Sequence, residues 1–260
     1  ERRHSRQQLI RFLEGIGSVL GSDRDSATSL EELQANADLR DRLRGALTDP
    51  SLDAAGRNPQ SPPRRTCQMI ETLAETIESR DGTRRGHARR VAFLCGLIGE
   101  QHRLAARLQE NLRVAAFLHD VGHIANPPDG LTEIPALEAL LPSERSAAEE
   151  HCLVGERLIE PLGFPGEVAA AIRHHHENWN GSGYPDGLAG EAIPLLARII
   201  SVADNFDTLT SEHPYRRSLS HSEAIDAIRK QAGVQLDPSV VKDLLSLAET
   251  GLCGAGPLAG

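Results

Sequence analysis

The chain has 260 residues, a formal net charge of −9 and eight aromatic residues (five Phe, two Tyr, one Trp). A net-negative surface with so few stacking rings excludes a nucleic-acid polymer as partner. A small phosphate ester stays open, because two divalent cations in one site would add about +4 to the local charge. The length is enough for one large domain with an extension and a sizeable core.

In chain order, the first fifty residues predict two helices, roughly 7 to 19 and 30 to 47, the second opened by a capping box of Ser29 and Glu32. Leu30, Leu33, Leu43 and Leu47 make a stripe too short for a coiled coil. "PSLDAAGRNPQSPPRR" follows as a linker, marked by Pro50, Pro59, Pro62 and Pro63. From Thr66 to about Glu249 the pattern is helical, broken at "NPPDG", "LGFPG" and "NWNGSGYPDGLAGEAIP". No alternating run argues for a sheet and no repeat recurs at a fixed period, so the fold class is all-α. The expected organisation is a helical segment over 1–49, a linker over 50–65, a helical bundle over 66–250 and a disordered tail over 251–260.

Cys67, Cys95, Cys152 and Cys253 are far apart and include no C-x-x-C pair, which predicts neither a disulfide framework nor a zinc ribbon. Together with no apolar run long enough to span a bilayer and no signal-peptide core, this points to a reducing, cytoplasmic setting. The chain begins with Glu1 rather than Met and is read as a piece of a longer protein.

Ligand-type side chains fall on apolar stripes. In the helix running into "FLHDVGH", Leu108, Leu112, Ala115 and His119 recur at helical spacing, with Asp120 beside them and His123 a turn later. His151 lies among Val154, Gly155 and Leu158. After Val168 and Ile172, periodicity selects His175 and His176 from "HHH" and turns His174 away. Leu196, Ile200 and Ala203 carry Asp204 inward, and Asp207 shares that face. His87 opens a helix buried through Val91, Leu94, Cys95 and Ile98, and period alone places it least well.

A lone histidine on such a face is more often a hydrogen-bonded core residue than a ligand. Five histidines and two acids together would cost several kcal/mol in desolvation unless they are paired or bind metal. Imidazole and carboxylate donors suit zinc, iron, manganese or nickel, and Asp120 can bridge two ions.

The ordered series His87, "HD" at 119–120, His151, "HH" at 175–176 with "ENWNGSGYPDGLAGEAIP", then "SVADNFDTLTSEHPYRRSLS", resembles the HD-GYP family, a branch of the HD-domain phosphohydrolases. The similarity covers about residues 66 to 245. It implies a helical bundle that hydrolyses cyclic di-GMP to linear pGpG, GMP or both at a centre of two divalent ions, iron or manganese above nickel or zinc. It makes His87, His119, Asp120 and Asp204 ligands of one ion and His151, His175 and His176 ligands of the other, with Asp120 bridging and catalytic. Three-metal members carry a glutamate where this chain has Thr83, so two ions are expected; Asp81 keeps the family's acid ahead of His87. Such a pair of cations would activate water for in-line attack on phosphorus.

The motif H-D-x-G-K reads H-D-V-G-H here, so His123 stands where a phosphate-contacting lysine is expected. Three readings compete for it: a phosphate donor or general acid, a metal contact, or the mark of a site that binds but turns over slowly. The first predicts that His123→Lys raises turnover at pH 8 more than at pH 6. His213 stands where the family has arginine, and Arg216 keeps a basic group for the substrate.

The loop with Gly183, Tyr184 and Pro185 reads as a tight excursion packed down by Trp179, and the resemblance makes it a substrate-side wall. The resemblance also makes it a surface for diguanylate cyclase (GGDEF) partners. A homodimer through the N-terminal helices is a further expectation. His4, His102 and His221 are expected to be solvated, Ser220 with Glu223 to form a capping box, and Arg84, Arg85, Arg89 and Arg90 to form a solvated face or to attract an anionic ligand. Two rivals to the phosphodiesterase are a non-catalytic binding module and an HD-type phosphohydrolase for another nucleotide.

Overall fold

The structure is a computed structural model that describes residues 70–72, 74–75, 78, 84–125, 142–212 and 217–250, with 125 and 142–149 described in backbone only. The readings made for residues 1–65, for Cys67, Asp81, Thr83 and Cys253, and for His213, Arg216 and the tail lie outside the described residues. Among the described residues, the α-helices with defined bounds run in chain order as α1 (His87–Gln101), α2 (Ala106–Leu118), α3 (Pro142–Ile159), α4 (Gly166–His174), α5 (Leu195–Thr210), α6 (His221–Gln231) and α7 (Pro238–Glu249). Among the described residues the extended pairings are two isolated bridges, Asn180 with Ala189 and Ala232 with Leu236, and the fold is all-α.

Local chemistry sets the helix starts. Gly86 turns the chain into α1 with φ 74°, and the Glu78 carboxylate accepts the N–H groups of Gly86 at 2.7 Å and Ala88 at 2.5 Å, two donors that a helix start leaves open. Burial raises the Glu78 pKa, against the pull of those two hydrogen bonds. Pro165 and Pro194 precede α4 and α5, where a missing N–H costs nothing. The capping box of Ser220 and Glu223 is present at α6. At α7, Asp237 accepts from Ser239 N–H at 2.7 Å and takes Arg198 of α5 at 2.6 Å, tying two helices through one buried carboxylate.

α1 packs on α2 and α5, and α4 sits among α2, α3 and α5. Their shared core contains Val91, Ile98, Leu112, Ile172, Ile199 and Ile200, all fully buried. Each such aliphatic side chain contributes about 1.5–3 kcal/mol relative to exposure. The stripes through Leu112 and Ala115, Val168 and Ile172, and Leu196, Ile200 and Ala203 are buried as the periodicity predicts.

One boundary differs from the sequence expectation. α2 stops at Leu118, and Val121–Ala125 continue as a tighter 3-10 turn rather than as α-helix. Gly122 explains the change: a Cβ there would lie 1.8 Å from the carbonyl oxygen of His151. The chain leaves the helix to press its backbone against α3.

Candidate metal centre

His87 is the first residue of α1, His119 caps the C-terminus of α2 with Asp120 next, and His123 lies in the 3-10 turn. His151 projects from α3, His175 caps the C-terminus of α4 with His176 next, and Asp204 lies on α5. The structure brings all eight side chains together. α2 and α4 both end at the cluster, and the negative ends of their dipoles favour a cation there.

Asp120 stands in the middle with its two oxygens facing different neighbours. Oδ2 is 3.7 Å from His87 Nε2 and 3.5 Å from His119 Nε2. Oδ1 is 3.8 Å from both His151 Nε2 and His175 Nε2 and 3.5 Å from His123 Nε2. Asp204 joins the first set, its Oδ1 3.3 Å from His87 Nε2, while His176 joins the second. Within His87, His119 and Asp120, and within Asp120, His151, His175 and His176, one ligand atom per residue lies within 4.8 Å of every other.

The hydrogen bonds on the far side of each ring test whether a cation fits. His119 Nδ1 donates to Ala116 O at 2.7 Å, His175 Nδ1 to Ile172 O at 2.7 Å, and His87 Nδ1 contacts Asp207 Oδ2 at 2.8 Å. In a neutral ring the proton sits on that Nδ1, so Nε2 presents a lone pair. His87 and His119 then direct two lone pairs at each other across 3.3 Å, and His151 and His175 approach Nε2 to Nε2 at 3.4 Å. Lone pairs so placed repel unless positive charge lies between them. The donor set fits borderline divalent metals, two sets sharing one carboxylate.

The titration behaviour follows the same division. Burial pushes the pKa of His151, His175 and His176 down, His176 to about 4, and the charge of neighbouring histidines adds to the effect. Burial also works to lower His87, but the Asp207 hydrogen bond and the charges of Asp204 and Asp120 outweigh it and raise its pKa. Burial would raise Asp120, yet His119, Arg84 and His123 together hold its carboxyl well below the usual range. Burial pushes His123 down; Asp120 draws it up, and the charges of Arg84 and His119 leave it below the ordinary histidine value. Its ring stacks on His151 at 4.1 Å and 13°.

Several residues carry more than the sequence reading assigned them. Asp207 is buried, holds His87 and takes Arg90 at 2.5 Å and 3.0 Å, so it fixes the ring that faces Asp204. Burial would raise its pKa, and the bonds to His87 and Arg90 lower it. Arg84 contacts Asp120 Oδ2. Arg84 and Arg90 thus turn inward, which corrects the solvated-face expectation for two of the four arginines, whereas Arg89 pairs with Glu75 at the exposed surface. His102 is likewise paired with Asp243 at 2.6 Å rather than merely solvated, and exposed His221 stacks on Phe206. A helical stripe gives no signal for a salt bridge that crosses between helices.

The glycine-rich loop is anchored by Glu177. This buried carboxylate accepts the N–H groups of Asp186 at 2.8 Å and Leu188 at 3.0 Å. His174 faces away from the cluster, to Asp186 at 2.8 Å and Ala170 O at 2.8 Å, and Arg173 holds the other side of Asp186. Gly183 lies where a Cβ would meet Asn178 N at 2.2 Å, so its glycine serves the close packing of the loop. Tyr184 is buried with its ring 5.0 Å from His176, and Pro185 follows it through a cis peptide bond. Arg198 lies over the ring of Trp179 at 5.9 Å.

The HD domain family profile matches residues 71–240. The cyclic di-GMP phosphodiesterase response regulator RpfG of Xanthomonas campestris is 38% identical over 180 residues, 68% of this chain and 47% of that protein. A cyclic di-GMP phosphodiesterase of Thermotoga maritima is 34% identical, with 69% of this chain and 49% of that protein covered. A 3'3'-cGAMP-specific phosphodiesterase 2 of Vibrio cholerae is 30% identical over 68% of this chain and 34% of its own length. The chain thus spans about half the length, or less, of these relatives. Among solved structures, the cyclic GMP-AMP phosphodiesterase V-cGAP3 of V. cholerae superposes with a TM-score of 0.62 at 25% identity, covering 74% of this chain and 50% of that one. The chain belongs to the HD-domain family, in its HD-GYP branch.

Proposed function

We propose that the chain is a metal-dependent phosphodiesterase for a cyclic dinucleotide, and specifically for cyclic di-GMP, serving as the output domain of a cytoplasmic bacterial signalling protein. One observation carries the reading: a single carboxylate, Asp120, divides its two oxygens between two sets of imidazole nitrogens. Relatives named for cyclic di-GMP and for 3'3'-cGAMP support the substrate class. His87, His119, Asp120 and Asp204 hold one ion and Asp120, His151, His175 and His176 the other, with iron or manganese as the favoured metals. When bound, the ions supply an activated water and neutralise phosphate oxygens.

The chain's own groups do the rest. Asp207 and the carbonyls of Ala116 and Ile172 keep the Nδ1 protons in place, so the three rings stay in the ligating orientation. His123, against Asp120 Oδ1, is placed to hold a proton or a phosphate oxygen at the reacting centre. Tyr184 beside His176 forms a wall, and the loop around it is the surface offered to a diguanylate cyclase domain. His213 and Arg216 complete the substrate contacts in this reading.

A second reading, a module that binds nucleotide and metal but turns over slowly, is favoured by one observation: position 123 carries an imidazole rather than the fixed charge of a lysine, and burial beside Arg84 and His119 works against its protonation. Elemental analysis joined to product chromatography with cyclic di-GMP and 3'3'-cGAMP decides between them. Two ions per chain with pGpG or GMP formed from cyclic di-GMP supports the first. Full metal occupancy and tight binding with no product over hours supports the second, and preferred cleavage of 3'3'-cGAMP would move the substrate. In the same assay Asp120→Ala is expected to lose at least one ion and about 1,000-fold or more in rate; unchanged metal content contradicts the bridging role.

A further inference from the structure

His176 differs from other members of the cluster in what holds its ring. It follows the C-cap His175 and lies outside α4. The Nδ1 groups of His87, His119 and His175 are each fixed by an oxygen on the far side of the ring. Among the described residues no hydrogen bond reaches the His176 ring, and its bracing comes from three other rings. His175 lies 4.1 Å away at 44° and His151 5.1 Å away at 81°, and both belong to the same donor set. The third ring is that of Tyr184, 5.0 Å away at 31°, and it lies outside that set.

Backbone contacts place Tyr184 for this role. Its N–H donates to the carbonyl of His176 at 3.2 Å, and a Cβ on the preceding Gly183 would lie 2.5 Å from that same oxygen. The chain therefore turns back onto residue 176 and sets a buried phenol ring beside its imidazole, at a separation where ring pairs attract. An imidazole free to rotate must be arrested when an ion binds, and the lost freedom weakens the complex. A ring already held in the ligating orientation avoids that cost.

We propose that Tyr184 is a positioning residue for His176, its ring doing for that imidazole what a far-side hydrogen bond does for His87, His119 and His175. The tyrosine of the glycine-rich loop thereby sets the affinity of the ion assigned to His151, His175 and His176. The inference rests on the ligand role given to His176 in the preceding section, and its readout is metal binding rather than turnover.

The probe is Mn²⁺, titrated by calorimetry into chelator-treated wild type, Tyr184→Phe, Tyr184→Leu, Tyr184→Met, His176→Ala and the double variant Tyr184→Leu with His176→Ala. The binding step that His176→Ala weakens identifies the ion in question. Tyr184→Leu is expected to weaken that step by about tenfold or more, and Tyr184→Phe, which keeps the ring, to stay within about twofold of wild type. Tyr184→Met fills much of the space without a ring, so it decides the matter where Tyr184→Leu fails to fold. In the His176→Ala background Tyr184→Leu is expected to cost nothing further, because the residue it positions has gone. An equal loss in both backgrounds would overturn the proposal in favour of general support of the fold. Tyr184→Leu and Tyr184→Met that bind like wild type would overturn it, as would a Tyr184→Phe as weak as either, which would move the effect from the ring to the hydroxyl. His176→Ala that binds Mn²⁺ like wild type would remove the ligand assignment itself, and the proposal with it. Wild type that cleaves no cyclic dinucleotide while the Tyr184 effect persists would refute the proposed substrate and leave the positioning role standing.

Discussion

His123 shows how much a single environment changes a residue's chemistry. A free histidine titrates near 6.5, which puts the expected advantage of lysine between pH 6 and pH 8. In the folded chain burial lowers that pKa, and Arg84 and His119 lower it further against the pull of Asp120. His123 is therefore neutral through pH 7, and the window in which it gains charge moves to more acid conditions. His123→Lys should accelerate phosphodiester cleavage by about 3- to 10-fold at pH 7 and pH 8 alike, with the gain shrinking only as the medium becomes more acid. A rate profile from pH 5.5 to 8.5 on both proteins checks this. A gain confined to pH 8 would mean that His123 titrates normally, and no gain at any pH would remove it from phosphate contact.

At the scale of elements, the site depends on helix ends more than on helix faces. His119 and His175 are C-caps whose Nδ1 groups use carbonyls of the last turn, and His87 opens its helix. Gly122 is the element's strictest requirement, because its backbone lies against His151 with no room for a side chain. Gly122→Ala should destabilise the fold by about 3 kcal/mol or more, read as a fall in the denaturation midpoint, and should release metal by displacing His151. A stable Gly122→Ala with full metal content would show that the 3-10 turn can retreat. Much of this was legible beforehand. Apolar periodicity placed His119, His175, His176 and Asp204 toward the interior and turned His174 away, because each continues or leaves a buried stripe. The stop of α2 at Leu118 was not legible, since it is set by the contact of Gly122 with His151 of α3, a partner remote in the chain. The solvated readings of Arg84, Arg90 and His102 failed for the same reason: a charge on a polar face looks solvated until its acid arrives from a distant part of the chain.

For the whole molecule, folding gathers more histidine than it can comfortably charge. His151, His175 and His176 have pKa values below the ordinary 6.5, so the unfolded chain binds more protons than the folded one just below that value. Stability of the metal-free protein should therefore fall as pH drops from about 6.5 toward 4, the value to which His176 is pushed. His87 acts with opposite sign: its raised pKa adds stability below about 6.5 that is lost as pH climbs through the folded value. The same asymmetry orders metal loading, because an imidazole must be neutral to ligate. Mn²⁺ titrations at pH 6 should fill the His151, His175 and His176 set first, and the His87 set should follow as pH rises to 8. Simultaneous filling of both sets at pH 6 would contradict the assigned difference.

The anchoring of the glycine-rich loop has a mechanical corollary. Glu177 follows His176 directly and grips the loop through two amides, while Tyr184 N–H bonds back to the carbonyl of His176. The excursion and the adjoining imidazole pair are thereby riveted into one lever, so a protein that seizes the loop from outside would tug directly on His175 and His176, the pair proposed to grip an ion.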